Sequence, residues 1–287
     1  MERAYAETIP DKINQMISIS ALYIYPIKSL GGLAIKTGKL TDRGLEHDRR
    51  FMLIDWENKF ITQRECSKMA LLQTNIENET LIVSEKYNSN NKISFSLSPV
   101  GNKIITVRIW DDVCEAMLLP DAISFWFSTV LEIDCRLVYM NETSIRLADT
   151  KYVKLENRIS LSDAYPLTII SESSLNDLNR KLNDNLLMNR FRPNIVIKGS
   201  NAHQEDTFKK IIINGLTFYG VKLLARCPII TIDQHTSLRG KEPLQILSKY
   251  RKKNNKVFFG NNFIYETLGN ISVGDEIIIQ ETIPYLF

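Results

Sequence analysis

The sequence predicts a mainly β protein with some helix (α+β), built from barrel or sandwich β-domains rather than a doubly wound sheet. Three observations carry that expectation. Short runs rich in β-branched residues recur along the chain, separated by Gly, Pro and Asn punctuation. Three segments show helical periodicity. No G-x-G-x-x-G occurs, so the strand–turn–helix fingerprint of a dinucleotide fold is missing.

In chain order, Ile17–Tyr25, Leu33–Leu40, Arg50–Ile54, Leu81–Ser84, Ile93–Leu97 and Ile104–Trp110 read as strands, broken by Gly31-Gly32 and the Asn-rich tract Asn88–Asn91. Asp121–Leu131 reads as a helix just after Pro120, with Ile123, Trp126 and Val130 on its apolar side. Residues 141–158 are polar and weakly patterned, which suits a connection between a first domain over 17–140 and a second over 141–287. Ser174 and Asp177 have capping-box spacing and introduce a second helix with a Leu175, Leu178, Leu182, Leu186 stripe expected in the core. Asn194–Ile197, Lys210–Ile213, Leu216–Tyr219 and Val221–Ile232 return to strand. Pro243 opens a third helix carrying Leu244, Leu247 and Tyr250, and Val257–Phe259 and Glu276–Gln280 close the chain as strands.

Composition narrows the class. The chain has 287 residues, 44% hydrophobic and 24% charged, enough to bury a large core without staples. Thirty-six basic against 33 acidic residues leave +3, which gives nucleic acid no support as a partner. The first sixteen residues lack the apolar core of a secretory signal and carry acidic residues that a transit peptide avoids. The most apolar region, Phe218–Ile232, is interrupted by Lys222 and Arg226, so no membrane span is expected and the cytoplasm is the expected compartment. Cys66, Cys114, Cys135 and Cys227 match no zinc or iron–sulfur spacing and are expected as free thiols, most of them buried. Gly38-Lys39-Leu40 fails as a P-loop because Leu40 stands where a Mg²⁺-binding hydroxyl is required. His203-Gln204-Glu205 lacks a following P-C-x-x-C and reads as a solvated loop. No G-x-S-x-G elbow or H-E-x-x-H is present.

Several constellations remain that could carry chemistry. Tyr25-Pro26-Ile27-Lys28-Ser29 ends an apolar strand at a proline, and could offer Lys28, Ser29 and free backbone N–H groups to an anion. Arg49-Arg50 enters the next strand, where period-2 alternation sends one guanidinium toward a ligand and the other to solvent or a carboxylate such as Asp48. In Arg190-Phe191-Arg192-Pro193-Asn194, an extended backbone would put Arg190, Arg192 and Asn194 on one face as donors for phosphate, with Pro193 holding Arg192 extended. Cys227 lies in an apolar β-rich run between Arg226 and Pro228; a nearby guanidinium favours its thiolate, and the lack of an adjacent histidine favours a metal ligand over a nucleophile. Arg239-Gly240-Lys241-Glu242-Pro243 and Arg251-Lys252-Lys253 flank the third helix and read as a solvated face; Gly260-Asn261 could bring backbone near a ligand. Together the cationic clusters in both halves, a lone cysteine and the missing nucleotide fold suggest a bulky anionic ligand between two β-domains.

Y-P-I-K-S, G-L-x-x-D-R-R-F-M-L-I-D, R-F-R-P-N-I-V-I, A-R-C-P-I-I-T-I-D, G-K-E-P-L-x-x-L-x-x-Y-R and F-G-N-N, in order from about Ile17 to Ile279, resemble the MOSC superfamily. The chain looks like its two-domain branch, which includes the mitochondrial amidoxime reducing component and YcbX-type bacterial proteins. The resemblance implies an N-terminal MOSC β-barrel domain, then a MOSC β-barrel domain with peripheral helices, with a molybdenum cofactor (molybdopterin) between them. It implies Cys227 as the molybdenum ligand, and Lys28, Ser29, Arg49, Arg192 and Asn194 as cofactor-binding positions. Arg226 sits beside the ligand, and Ser171 falls where the family closes the site ahead of a helix. Ala225 departs from members with serine two residues before the cysteine. The implied activity is molybdenum-dependent reduction of small N-hydroxylated or N-oxide-type compounds. Electrons would come from a separate ferredoxin, flavodoxin or cytochrome b-type donor with its reductase. Cofactor trafficking, or sulfur carriage on Cys227 as in MOSC domains fused to cofactor sulfurases, is the alternative; pyridoxal phosphate enters only as a family association, since no pyridoxal-binding domain is seen in this chain.

Overall fold

A computed structural model of the chain describes residues 16–149 and 157–287. The first half holds strands β1 (Ser18–Ile24), β2 (Leu33–Ile35), β3 (Thr37–Thr41), β4 (Gly44–Leu45) and β5 (Phe51–Ile54). A meander follows, of β6 (Leu72–Glu77), β7 (Thr80–Glu85) and β8 (Asn88–Ser96), then the hairpin β9 (Ile104–Ile109) and β10 (Asp112–Leu118), helix α1 (Asp121–Leu131) and β11 (Arg136–Tyr139). The second half holds β12 (Leu167–Ser171), α2 (Glu172–Asn179), β13 (Ile195–Lys198), β14 (Phe208–Ile213) and β15 (Leu216–Ala225). It ends with α3 (Leu244–Tyr250), β16 (Lys252–Lys253), β17 (Lys256–Tyr265), β18 (Gly269–Ser272) and β19 (Ile277–Thr282).

The main sheet runs β19-β14-β15-β17-β12-β13-β1-β2. β1 meets the β19 end: Ser18 bridges Glu276, Ile277 N–H donates to Ile17 O at 2.8 Å, and Gly274 N–H to Ile19 O at 2.8 Å. These bonds close a barrel on Ile19, Leu22, Leu167, Ile169, Ile195, Ile197, Phe208, Ile211, Phe218 and Phe263, all buried. The parallel pair β12–β13 has α2 in its crossover, the connection such a pair requires. A second sheet, β5-β11-β10-β9, and the β6-β7-β8 meander enclose another core with α1, where Phe51, Phe127, Leu131 and Leu137 are buried. β1 to β3 pair into the sheets of the C-terminal half, so the two halves share strands.

Differences from the sequence reading have local causes. The strand pattern leaves out β4, β6, β10, β11, β12, β16 and β18. In β6, Leu72 and the polar Thr74 are buried while Gln73 and Asn75 are exposed, so the alternation holds with little apolar signal. Asn88–Asn91 is the start of β8, not a break. Ser171, not Ser174, caps α2: its Oγ accepts from Ser174 N–H at 3.0 Å. The helix stops at Asn179, whose side chain bonds Leu186 N–H and O at 2.9 and 3.0 Å and folds Leu182 and Leu186 back onto the core. In the polar stretch after residue 140, Ser144 and Arg146 are buried and not solvated; Arg146 is hydrogen-bonded to Ser160 O, Ser162 O and Asp163 O. Residues 150–156 of that connection, and residues 1–15 on which the leader argument rests, lie outside the described residues. Among the described residues no helix is long and apolar enough to cross a membrane.

Candidate functional site

Three turns bring the cationic motifs together. At the end of β1, Tyr25 N–H donates to Asp48 Oδ1 at 2.8 Å, and Arg49 N–H returns a bond to Tyr25 O at 2.8 Å. Phe51 N–H donates to Pro26 O and Lys28 N–H to Phe51 O, so the proline segment is laced to β5. Lys28 N–H is thereby used, and the expectation of a free amide at that position is corrected. Ser29, Arg49 and Arg192 have φ of 69°, 51° and 53°, left-handed backbone that costs about 1–3 kcal/mol for each non-glycine residue. Such strain gathers where side chains must be aimed at one point.

The Tyr25 ring organises two of those side chains. The Arg49 and Arg192 guanidiniums lie 4.8 and 4.2 Å from its centroid, and its hydroxyl donates to Pro193 O at 3.1 Å. Arg49 Nη1 also donates to Asp48 Oδ2 at 2.5 Å and to Asn194 Oδ1 at 3.2 Å. Arg192 Nη1 donates to Leu30 O at 2.6 Å, while its Nη2 is buried without a partner among the described residues. Lys28, 5% exposed, donates through Nζ to Leu161 O at 2.9 Å and Asp163 Oδ1 at 2.7 Å. β15 ends at Ala225; Arg226 N–H is held by Val257 O and its Nη2 by Phe191 O. Cys227, half-buried, opens the short 3₁₀ turn Pro228–Thr231.

Lys28, Ser29, Arg49, Arg192, Arg226 and Cys227 line one cavity of about 120 Å³. Arg64, Trp110 and Asp163 come to it from the other side. Five cations (Lys28, Arg49, Arg64, Arg192, Arg226) thus meet three carboxylates, Asp48 behind Arg49, Glu65 at 3.9 Å from Arg64 and Asp163 at the mouth. Burial lowers the pKa of Lys28, and lowers Arg192 and Arg226 to about 10 each, with the charges of Tyr25 and of Cys227 and Asp163 acting against the shift. Arg49 differs: burial works against its charge, but Asp48 and Tyr25 hold its pKa above the usual value. Partly desolvated cations in excess over their carboxylates are costly until an anion neutralises them, so the cavity's chemistry is anion recognition beside a thiol.

Two predicted site residues face elsewhere. Ser171 is fully buried: its N–H and, through Ser174, its hydroxyl reach Glu205 Oε1. Asn194 is buried behind the wall, where it holds Arg49 and donates to Tyr23 O. Arg190, Arg192 and Asn194 do not share an extended face. Residues 188–190 form a 3₁₀ turn, Arg192 has positive φ, and Arg190 Nη2 pairs with Asp233 at 2.7 Å. Cys227 lies past the end of its strand and not within it, because Pro228 cannot donate to a ladder. His203 and Glu205 are buried and not solvated, since Ser174 Oγ accepts from His203 N–H and donates to Glu205. Asp163, Trp110, Arg64 and Asn262 were missed as cavity residues; the F-G-N-N run contained Asn262, but the others lie in segments with no distinguishing spacing. Cys66, Cys114 and Cys135 are buried, with thiol pKa values pushed up by burial.

Comparison with known proteins places this arrangement. The MOSC N-terminal beta barrel domain matches residues 16–134 and the MOSC domain residues 156–278. Mitochondrial amidoxime reducing component 2 of Rattus norvegicus is 30% identical over 93% of this chain and 84% of its own length. Mitochondrial amidoxime-reducing component 1 of Mus musculus is 29% identical over the same shares. Molybdenum cofactor sulfurase of Oryza sativa subsp. japonica is 29% identical over 88% of this chain, which covers 33% of that protein. The chain belongs to the MOSC family, with both of its β-barrel domains.

Proposed function

We propose that this MOSC protein holds a molybdenum cofactor in the cationic cavity and uses it to reduce N-hydroxylated or N-oxide-type compounds. The observation that carries the reading is a half-buried thiol, Cys227, on the wall of a cavity with an excess of buried and half-buried cations, one of which, Arg192, has an Nη2 without a partner among the described residues. Those residues fit the group: a phosphorylated pterin supplies the missing negative charge, and a soft metal accepts a thiolate.

Cys227 Sγ would ligate the metal. Arg192 Nη2, Arg226 and Ser29 would bind the anionic cofactor through charge-assisted and hydroxyl hydrogen bonds, and Tyr25 and Asn194 would fix the guanidinium planes. Lys28 would add charge from beneath, held by Asp163, which Lys28 keeps ionised against the partial desolvation at the cavity mouth. Bound there, the cofactor supplies two-electron redox chemistry at the substrate's N–O bond. The overall change is N–OH + 2 H⁺ + 2 e⁻ → N–H + H₂O, with electrons from a separate ferredoxin, flavodoxin or cytochrome b-type protein and its reductase. The cytoplasm is the proposed compartment.

Protein from a molybdate-replete host should carry molybdenum, and Cys227→Ala should lose it while keeping the unfolding midpoint of wild type freed of cofactor. With reduced methyl viologen, wild type should reduce benzamidoxime or hydroxylamine. Unchanged molybdenum content in the variant would refute the ligand assignment. The likeness to the cofactor sulfurase favours one other reading, sulfur or cofactor carriage without turnover; a persulfide on Cys227 by mass spectrometry, together with no viologen-driven reduction, would select it.

A further inference from the structure

We infer that the face formed by α3 and the β16–β17 hairpin is the docking surface for an acidic one-electron carrier protein. The inference rests on the reading that the chain reduces its substrate with electrons from outside.

Charge is concentrated there to a degree that composition conceals. Residues 239–256 hold seven cations and one carboxylate, while the remaining 269 residues hold 29 cations against 32 carboxylates. One cation, Arg251, is buried in a pair with Asp206; Arg239, Lys241, Lys249, Lys252, Lys253 and Lys256 are all exposed. Among the described residues none of these five lysines makes an ion pair, whereas Lys39, Lys68 and Lys209 elsewhere on the surface each sit within 3 Å of a glutamate.

The hairpin also keeps a repulsion that evolution of stability alone would remove. Lys253 lies directly opposite Lys256 in the β16–β17 register, across a two-residue turn with Asn254 and Asn255 at φ of 48° and 59°. Like charges facing across an antiparallel pair destabilise it, and an acidic partner relieves that repulsion on binding.

Position gives the patch a purpose. Lys241 and Lys256 border an open groove of about 710 Å³ that is also walled by Arg226 and Cys227. A carrier seated on the lysines therefore lies beside the thiol assigned to the metal. The apolar side of α3 (Leu244, Leu247, Tyr250) packs inward, so the helix has no free apolar face for a lipid surface. Tyr285, the exposed aromatic beside the lysines, accepts from Arg251 at 2.7 Å and packs against the Phe287 ring, which ties it into the wall rather than leaving it free to stack a base. An acidic protein is the occupant that remains.

The test uses the full-length holoenzyme with three electron sources: an acidic [2Fe–2S] ferredoxin, an acidic flavodoxin and an acidic cytochrome b domain, each with its reductase. Lys249→Glu/Lys252→Glu/Lys253→Glu avoids every residue of the cavity. At low ionic strength it should lower kcat/KM at least about tenfold for any carrier that supports wild type, and abolish its salt dependence. Turnover with reduced methyl viologen, itself a cation, should be unchanged. Binding of the carriers by calorimetry should follow the same order, and it is read without turnover. A wild type that binds a carrier yet reduces nothing with viologen therefore refutes the proposed activity but supports the docking face. Carrier-driven rates that ignore both salt and the triple substitution overturn the inference. So does a wild type that binds phosphatidylserine vesicles or duplex DNA and none of the carriers.

Discussion

Arg192→Gln separates a binding role from a structural one. In the unliganded protein the guanidinium donates to Leu30 O and stacks on Tyr25, contacts worth about 2–4 kcal/mol together. Against that, burial lowers its pKa to about 10, so keeping it charged at neutral pH costs the fold about 3 kcal/mol. The two nearly cancel, and urea unfolding of the unliganded variant should fall within about 1 kcal/mol of wild type. The Nη2 is different: it has no partner among the described residues, and Arg192 lines the cavity, so on the proposed reading it bonds the ligand. Losing one charge-assisted hydrogen bond of about 1.5–3 kcal/mol weakens cofactor binding roughly 10- to 150-fold. The assay is molybdenum per chain by elemental analysis after dialysis, beside the urea curves. A variant destabilised by about 3 kcal/mol or more with wild-type molybdenum content would refute the argument, because Arg192 would then be a fold residue.

Gly220→Ala should destabilise the barrel by about 3 kcal/mol or more by urea unfolding, because a Cβ there would sit 1.9 Å from Phe208 O, a backbone atom that cannot yield. His203 is held near pKa 4 by burial and by Arg251, against Asp177, and its unfolded value is about 6.5. Its stabilising contribution is complete above about pH 6.5 and lost as pH falls toward 4, so wild type should lose about 2 kcal/mol more than His203→Gln between pH 7 and pH 5. Asp163→Asn should cost about 1 kcal/mol and not the larger penalty of a sealed pair, because the Asp163 side chain is 68% exposed and water screens its bond to Lys28. Wild type and that variant should converge in strongly acid solution, where the depressed carboxyl of Asp163 finally protonates; equal pH profiles would show that the pair contributes nothing.

Much of the fold was legible because local rules and tertiary demands agree. α1 spans Asp121–Leu131 as its pattern implied, and β1, β5 and β13 fall within a residue or two of their apolar runs. β6 and β10 were not legible, because their inward positions include Thr74 and Ala116, side chains that burial accepts but periodicity does not advertise. The cap of α2 lies three residues before the apparent one because two serines stand at capping distance, and Glu205, far along the chain, fixes the choice of Ser171.

The candidate site divides in the same way. Residue types were in the sequence: which arginines, which lysine and which cysteine are present follows from the motifs alone, and so does the demand for an anion. Their convergence was not. Alternation in a strand could not aim Arg49 and Arg192 at one point; their left-handed backbone and the Tyr25 ring between them do that. Nor could spacing reveal Asp163 and Trp110, which reach the cavity only because the β9–β10 hairpin packs against the segment after Arg146. Side-chain chemistry is carried by each residue, whereas a cavity is a relation among segments more than a hundred residues apart, and packing alone creates it.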